Sequence, residues 1–267
     1  MTTIDALILG LIQGMTEFLP VSSSAHLFLG HQLLGLEEPR LAFDLVLHLG
    51  TLIAVMYFLR SEITQIVTSV FRSRLSLLAP PSDWDRRDIM LVVLSSVPTG
   101  VIGIVFHDMV ESGITFWGVG TRYLILSCAL LLTRVRFMHK DDPNRIGWLD
   151  ALLIGVVQGL AVFPGLSRSG STIVFMLILG IAPSRAVKYS FMISIPAILG
   201  GTLMAMRHGI SEIHDPMLFV TGFLVAVVSG YIALWLVEHF VERGRFYYFA
   251  PYTLFLSVLC FSLGVRF

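Results

Sequence analysis

The chain has 267 residues, of which 55% are hydrophobic and only 13% charged, and its mean hydropathy is +0.83. A soluble domain of this length is about one-quarter charged, so this composition excludes one and predicts an all-α, polytopic membrane protein. Eighteen basic residues balance eighteen acidic ones, and a net charge of zero argues against a nucleic-acid partner.

Residues 4–19 are apolar, but the run stops at Pro20 and a polar patch, Ser22-Ser23-Ser24-Ala25-His26, before a second run reaches Leu36. Each piece has roughly 16 residues or fewer, short of the ~20 that cross a bilayer, so the pair predicts a hairpin that enters the membrane and returns. Such irregular backbone survives at depth only inside protein or beside a water-filled cavity. No Lys or Arg precedes Arg40, so the basic start of a cleaved signal peptide is missing and the first apolar segment is expected to stay in the mature protein. Six longer segments read as spans: 42–60, 88–106, 117–134, 187–206, 217–238 and 247–266, with Pro98 and Pro196 kinking two of them. The Arg72–Arg87 stretch reads as a cytoplasmic loop, with Leu75 to Leu78 on the membrane surface. Between the third and fourth spans lies a second broken pair, 147–163 and 169–181. Cys128 and Cys260 sit inside apolar runs without metal-ligand spacing and read as packing residues.

The two broken pairs align. Gln13-Gly14-Met15-Thr16-Glu17-Phe18 matches Gln158-Gly159-Leu160-Ala161-Val162-Phe163 at an offset of 145, which brings Ser22-Ser23-Ser24 onto Ser167-Arg168-Ser169. Further along, the loop from Val110 to Trp117 matches Val241 to Tyr248 at an offset of 131. One membrane domain of two repeats is expected, about 1–134 and 147–267, each a re-entrant helix hairpin plus three transmembrane helices. Three is odd, so the second repeat is inverted. The charges agree: Arg60, Arg72, Arg74, Arg86, Arg87, Arg134, Arg136, Lys140, Arg145, Arg185, Lys188, Arg243 and Arg245 fall on one side. Only Arg40, Arg122, Arg207 and Arg266 lie towards the other, which places both termini outside the cytoplasm.

The second break carries Pro164-Gly165-Leu166-Ser167-Arg168-Ser169-Gly170-Ser171-Thr172. Arg168 offers a fixed fork of donors suited to paired phosphate oxygens, and Ser167, Ser169 and Thr172 offer hydroxyls. Gly165 and Gly170 allow close approach of the backbone, and a helix starting near Ser169 would aim its free N–H groups at the same anion. Inverted repeats bring two such breaks together, so Arg168 is expected to face Gln13, Glu17, Ser22, Ser23 and His26. Gln13 and Glu17 share a helix face, and His26 follows Ser23 by three residues. These are the parts of a phosphoryl-transfer site: a cation for developing charge, a nucleophile, a base and a metal ligand. Plainer roles stay open: Glu17 as counter-ion of Arg168, one serine as cap of the second half-helix, and His26 as an interior hydrogen-bonded histidine. Asp44 and His48 either line the cavity or bond helix to helix, and His107, Asp108 and Glu111 belong to an external loop.

The run from Glu17 to His26, together with Pro164 to Gly170, closely resembles the undecaprenyl-diphosphate phosphatase family of bacterial membranes, the bacitracin-resistance type. The resemblance covers nearly the whole chain, including Val97-Pro98. It implies removal of one phosphate from undecaprenyl diphosphate at the bacterial inner membrane, for cell-wall assembly, with a divalent cation (Mg²⁺ or Ca²⁺). Carried over by position, the family's functional residues fall on Glu17, Ser23 and His26 and on Ser167, Arg168, Ser169 and Thr172. Gln13, Ser22 and Gly170 complete the expected substrate-binding set. Because Gln13 stands where the family carries Glu or Gln, Glu17 is the main anionic metal ligand expected. Attack by Ser23 activated by His26, or by His26 itself, is not decided by the sequence, nor is a homodimer. The alternative is a transporter of an anion or lipid-linked phosphate, which shares the architecture but needs no nucleophile with a base.

Overall fold

The computed structural model describes residues 1–36, 41–71, 84–112, 115–135, 142, 144–206 and 215–264. Arg40, Arg72, Arg74, Arg136, Lys140, Arg207 and Arg266 of the charge count, the Leu75 to Leu78 segment, and Gly113 and Ile114 of the second matched loop lie outside the described residues. All regular structure among the described residues is helical.

The first broken pair is α1 (Thr3–Phe18) and α2 (Ser23–Leu33). Thr2 opens α1 with a reciprocal capping box to Asp5. After α3 (Leu41–Phe58) the chain bends by 69° into α4 (Arg60–Phe71), where the sequence predicted a loop. The hydroxyls of Thr64 and Thr68 bond back onto the α4 carbonyls, which satisfies them within a helix too polar to read as a span. Next come α5 (Arg86–Val105), capped by Asp85, the short α6 (His107–Ser112) and α7 (Phe116–Leu132), capped by Thr115. The second broken pair is α8 (Trp148–Leu160) and α9 (Arg168–Ile178). The chain ends with α10 (Pro183–Ala205), α11 (Pro216–Glu242), a 3₁₀ turn (Phe246–Phe249) and α12 (Ala250–Gly264).

Among the described residues four helices, at Arg86–Val105, Pro183–Met206, Pro216–Glu242 and Phe246–Gly264, are long and apolar enough to cross a membrane, and there are five if the bent pair of α3 and α4 counts as one span. Their outer faces stay apolar: Val93, Val97, Val101 and Ile104 on α5, and Val220, Leu224, Val228 and Trp235 on α11, are all exposed. Residues three, four or seven apart share one stripe of a helix, so these rows are ridges facing outward, as lipid contact requires. This is a multi-pass membrane protein.

Small residues set the helix spacing. A Cβ on Gly14 of α1 would sit 1.9 Å from Ser229 Oγ of α11, and one on Gly155 of α8 would sit 2.1 Å from the Ser95 carbonyl oxygen of α5. Backbones approach this closely only where side chains are absent, the packing device of helices in lipid. The interior between them is filled by Phe18, Tyr123, Leu126, Ile154, Met176, Tyr189 and Phe191, all essentially inaccessible. Both breaks, at 19–22 and 161–167, lie against this interior.

Candidate active site

The last turns of α1 carry Gln13 and Glu17 on one buried face. The Glu17 carboxylate is the hub. Its Oε1 accepts from Arg168 Nη2 at 2.8 Å, and its Oε2 accepts from Ser23 Oγ at 2.6 Å and from Gln13 Nε2 at 2.9 Å. Arg168 is the first residue of α9, one position earlier than the sequence suggested, and its Nη1 donates to the Ser194 carbonyl of α10 at 3.2 Å. A buried charge pair is helped by further hydrogen bonds: Glu17 has those from Ser23 and Gln13, and Arg168 has the one to Ser194. His48 of α3 places Nε2 3.8 Å from Glu17 Oε2.

Serines tie the two breaks together. Ser22 occupies the N-cap position of α2 with φ +66°, but its side chain does not cap that helix. Its Oγ instead accepts from the Gly165 N–H at 2.9 Å. Gly165 has φ +102° and leaves no room for a Cβ beside the Val119 carbonyl oxygen, 2.8 Å away, so only glycine fits. Ser167 Oγ caps the Gly170 N–H at 3.1 Å and donates to the Leu19 carbonyl at 3.2 Å, and Ser169 Oγ reaches the same carbonyl at 3.3 Å. The Leu19 carbonyl at the end of α1, which also accepts from the Val21 N–H at 2.8 Å, is thereby bonded across the break. Gly170 packs against Pro20, which its Cβ would approach to 3.0 Å. Thr172 Oγ1 donates to the Arg168 carbonyl at 2.9 Å and lies 2.6 Å from Ser190 Oγ, so it ties α9 to α10 and does not face Glu17.

His26 departs from the expectation. Its Nδ1 lies 2.9 Å from the Ser22 carbonyl and its Nε2 2.8 Å from Tyr252 Oη of α12, with Tyr123 Oη of α7 3.1 Å from Nδ1. The Ser22 carbonyl can only accept, so Nδ1 carries the proton and Nε2 accepts from Tyr252. The Ser23 hydroxyl therefore donates to Glu17 and not to His26. The reason is local: Ser23 starts α2 and faces the end of α1, whereas the imidazole folds back one turn towards the break and then points at α12.

Gln13, Glu17, Ser23 and Arg168 thus touch directly, Ser22, Ser167, Ser169 and Gly170 lace the breaks, Thr172 braces α9, and His26 stands on the α7 and α12 side. Tyr123 and Tyr252 escaped the sequence reading because a single tyrosine on an apolar helix carries no motif. His48 was noticed only as one of two polar residues on a span.

The acid end has the donor chemistry of a cation site. Gln13 Nε2 is fixed towards Glu17, because a flipped amide would set oxygen against carboxylate, and this leaves Gln13 Oε1 buried without a partner. Among the described residues no group of three His, Cys, Asp or Glu side chains is placed for a metal. One carboxylate with an amide oxygen still suits a hard cation that keeps waters and substrate oxygens as its other ligands.

The chain is similar along its length to known proteins. Residues 6–259 match the family described as bacitracin resistance protein BacA. An undecaprenyl-diphosphatase of Desulfosudis oleivorans is 40% identical over 273 residues, covering 100% of both chains. One from Desulfatibacillum aliphaticivorans is 38% identical over 263 residues, 93% of this chain and 94% of that one, and one from Bacteroides fragilis is 39% identical over 266 residues, 96% of each. With the match running through both breaks and all the residues gathered at them, this chain belongs to the BacA, bacitracin-resistance, family.

Proposed function

We infer that the Glu17–Arg168 centre hydrolyses undecaprenyl diphosphate to undecaprenyl phosphate and inorganic phosphate; the chain is a membrane undecaprenyl-diphosphatase. The observation that carries the mechanism is the chain of contacts Ser23 Oγ to Glu17 to Arg168, a hydroxyl already donating to a carboxylate held by a guanidinium. Arg168 and the free N–H groups opening α9 hold the diphosphate. As Arg168 turns from Glu17 Oε1 to phosphate oxygens, the carboxylate regains basicity and takes the Ser23 proton. Ser23 Oγ bonds to the terminal phosphorus, the bridging P–O bond breaks, and undecaprenyl phosphate leaves with the bond electrons. The departing undecaprenyl phosphate takes the proton from Glu17. Water then attacks the phosphoserine and gives a proton to the restored carboxylate; the bond from phosphorus to Ser23 Oγ breaks, Glu17 returns that proton to Ser23 Oγ, and phosphate departs. Both His26 nitrogens are occupied, Nδ1 by a main-chain carbonyl and Nε2 by Tyr252, which favours Ser23 as nucleophile over His26. A divalent cation, Mg²⁺ or Ca²⁺, would be held by Glu17 and Gln13 Oε1 and would neutralise charge on the phosphoryl oxygens.

The same reading places the protein in the bacterial inner membrane as six transmembrane helices and two re-entrant hairpins in inverted halves, with both termini extracytoplasmic. Paired local geometry supports it. Gly10 and Gly14 are 145 residues before Gly155 and Gly159; Gly35, at φ +64°, closes α2 as Gly180, at φ +79°, closes α9 at the same offset. The Leu36 N–H bonds to the His31 carbonyl as the Ile181 N–H bonds to that of Met176, both at 3.0 Å. Gly10 meets Gly222 and Val225, and Gly155 meets Ser95 and Pro98, so α5 and α11 correspond at an offset of 127. The loops that follow match at 131, so the second half carries four more residues than the first between these two matches.

The test is phosphate release from undecaprenyl diphosphate by detergent-solubilised protein, with and without chelator. Detergent abolishes sidedness, so release there requires hydrolysis; turnover by wild type and none by Ser23→Ala is expected. Failure of the wild type to release phosphate at any cation concentration defeats the reading and returns the transporter.

A further inference from the structure

We propose that His48 is a ligand of the divalent cation at the Glu17 centre, completing with Gln13 Oε1 and the Glu17 carboxylate a three-residue cation site preformed without substrate. This rests on the phosphatase reading only in that the cation serves the same centre.

The argument starts from a tautomer. His48 Nδ1 lies 2.8 Å from the main-chain carbonyl of Asp44, one turn earlier on α3. A carbonyl has no hydrogen to offer, so Nδ1 carries one, and Nε2 is the ring atom left to face Glu17 Oε2, 3.8 Å away. The His48 side chain is 30% accessible and Glu17 7%, so the pair opens onto a space an ion can reach, and two ligands each about 2.1 Å from one ion can lie as far apart as these two atoms do. Gln13 adds a third acceptor: it is fully buried, its Nε2 is committed to Glu17 Oε2, and its Oε1 has no donor. Buried acceptors left unpaired are rare enough to need a reason. Arg168 does not supply it, because its Nη2 bonds Glu17 Oε1 and its Nη1 bonds the Ser194 carbonyl. A single cation answers all three acceptors.

Two surrounding contacts have the form that metal-binding histidines show. The Asp44 carbonyl holding Nδ1–H is the outer-shell partner that fixes a ligating imidazole and raises its donor strength. The Asp44 carboxylate is itself held by His31 Nε2 of α2, 3.1 Å from each oxygen, so α3 is anchored to the first hairpin at that turn. An imidazole nitrogen beside two oxygen ligands shifts preference from Ca²⁺ towards Mn²⁺ and later transition metals.

The rival is a protonated His48 paired with Glu17, and it predicts the opposite sign. Removing a competing cation would tighten metal binding, whereas removing a ligand weakens it. The experiment uses Mn²⁺ with the full chain in detergent and no substrate, reading spin-echo modulation and affinity. Wild type is expected to bind Mn²⁺ with coupling to a histidine nitrogen; His48→Gln should lose that coupling and bind at least about 10-fold more weakly, the smallest effect recorded for outer-shell partners alone. No Mn²⁺ binding, no nitrogen coupling in wild type, coupling that survives in His48→Gln, or equal or tighter binding by the variant each overturns the proposal. The wild-type spectrum decides by itself if the variant does not fold. Phosphate release assayed on the same preparation separates the two readings, since turnover without nitrogen coupling removes the ligand and keeps the phosphatase.

Discussion

Replacing Arg168 with Lys keeps the charge and removes the fork. The guanidinium spans two acceptors with separate nitrogens, Glu17 Oε1 at 2.8 Å and the Ser194 carbonyl at 3.2 Å. One ammonium nitrogen cannot occupy both positions, nor straddle two phosphate oxygens in the same plane. The retained pair with Glu17 should preserve folding, because the buried charges still neutralise each other. The transition state fares worse: one donor to the developing phosphoryl charge is lost, and such a donor contributes about 3 to 4 kcal/mol. That corresponds to a fall of about 10²- to 10³-fold in kcat. The assay is phosphate release from undecaprenyl diphosphate in micelles, with thermal unfolding measured in parallel. Turnover within threefold of wild type refutes the clamp; a loss matched by unfolding assigns the residue to structure alone.

Glu17→Gln should be worse on both counts, since it removes the base and leaves Arg168 buried without a counter-charge, a loss of about 3–5 kcal/mol in stability that a lowered unfolding temperature would register. Rapid quench of wild type with substrate in neutral denaturant, which preserves both adducts, followed by peptide mass spectrometry should find phosphate on Ser23; an adduct on His26 instead moves the nucleophile to the imidazole. Tyr252→Phe deletes the hydroxyl 2.8 Å from His26 Nε2 and should lower stability by about 1 kcal/mol, the value of one neutral hydrogen bond, with kcat and the Ser23 adduct unchanged. Gly155→Ala drives a Cβ to 2.1 Å from the Ser95 carbonyl oxygen, where only backbone can yield, and should cost about 1–3 kcal/mol or more. Gly100→Ala, with nothing within 4 Å of its Cβ, is the control and should gain slightly from helix propensity; equal behaviour of the two would discard close α5–α8 packing.

Much of the site could be read before any coordinates. Apolar runs too short to cross a bilayer, interrupted at Pro20 and Pro164, located both breaks to within a few residues of the observed helix ends. The spacing of Gln13 and Glu17 implied a shared face, and they share one, because four residues make one turn whatever surrounds the helix. A 145-residue offset found in the sequence recurs in the glycines that close α2 and α9. By contrast α4 was read as loop, since its threonines and charges mask a helix that the 69° bend lays out of line with α3.

Sequence alone therefore determined the class of molecule, the positions of the two breaks and the residue types available at them, because hydropathy, helix period and breaker residues act over one or two turns. Tertiary structure decided the pairings: Ser23 on Glu17, His26 on Tyr252, His48 across from Glu17, and Arg168 shared between α1 and α10. Those choices depend on the rotation and crossing of helices far apart in the chain, set by close contacts such as Gly14 on Ser229, and no local pattern encodes which way a side chain points once five helices meet.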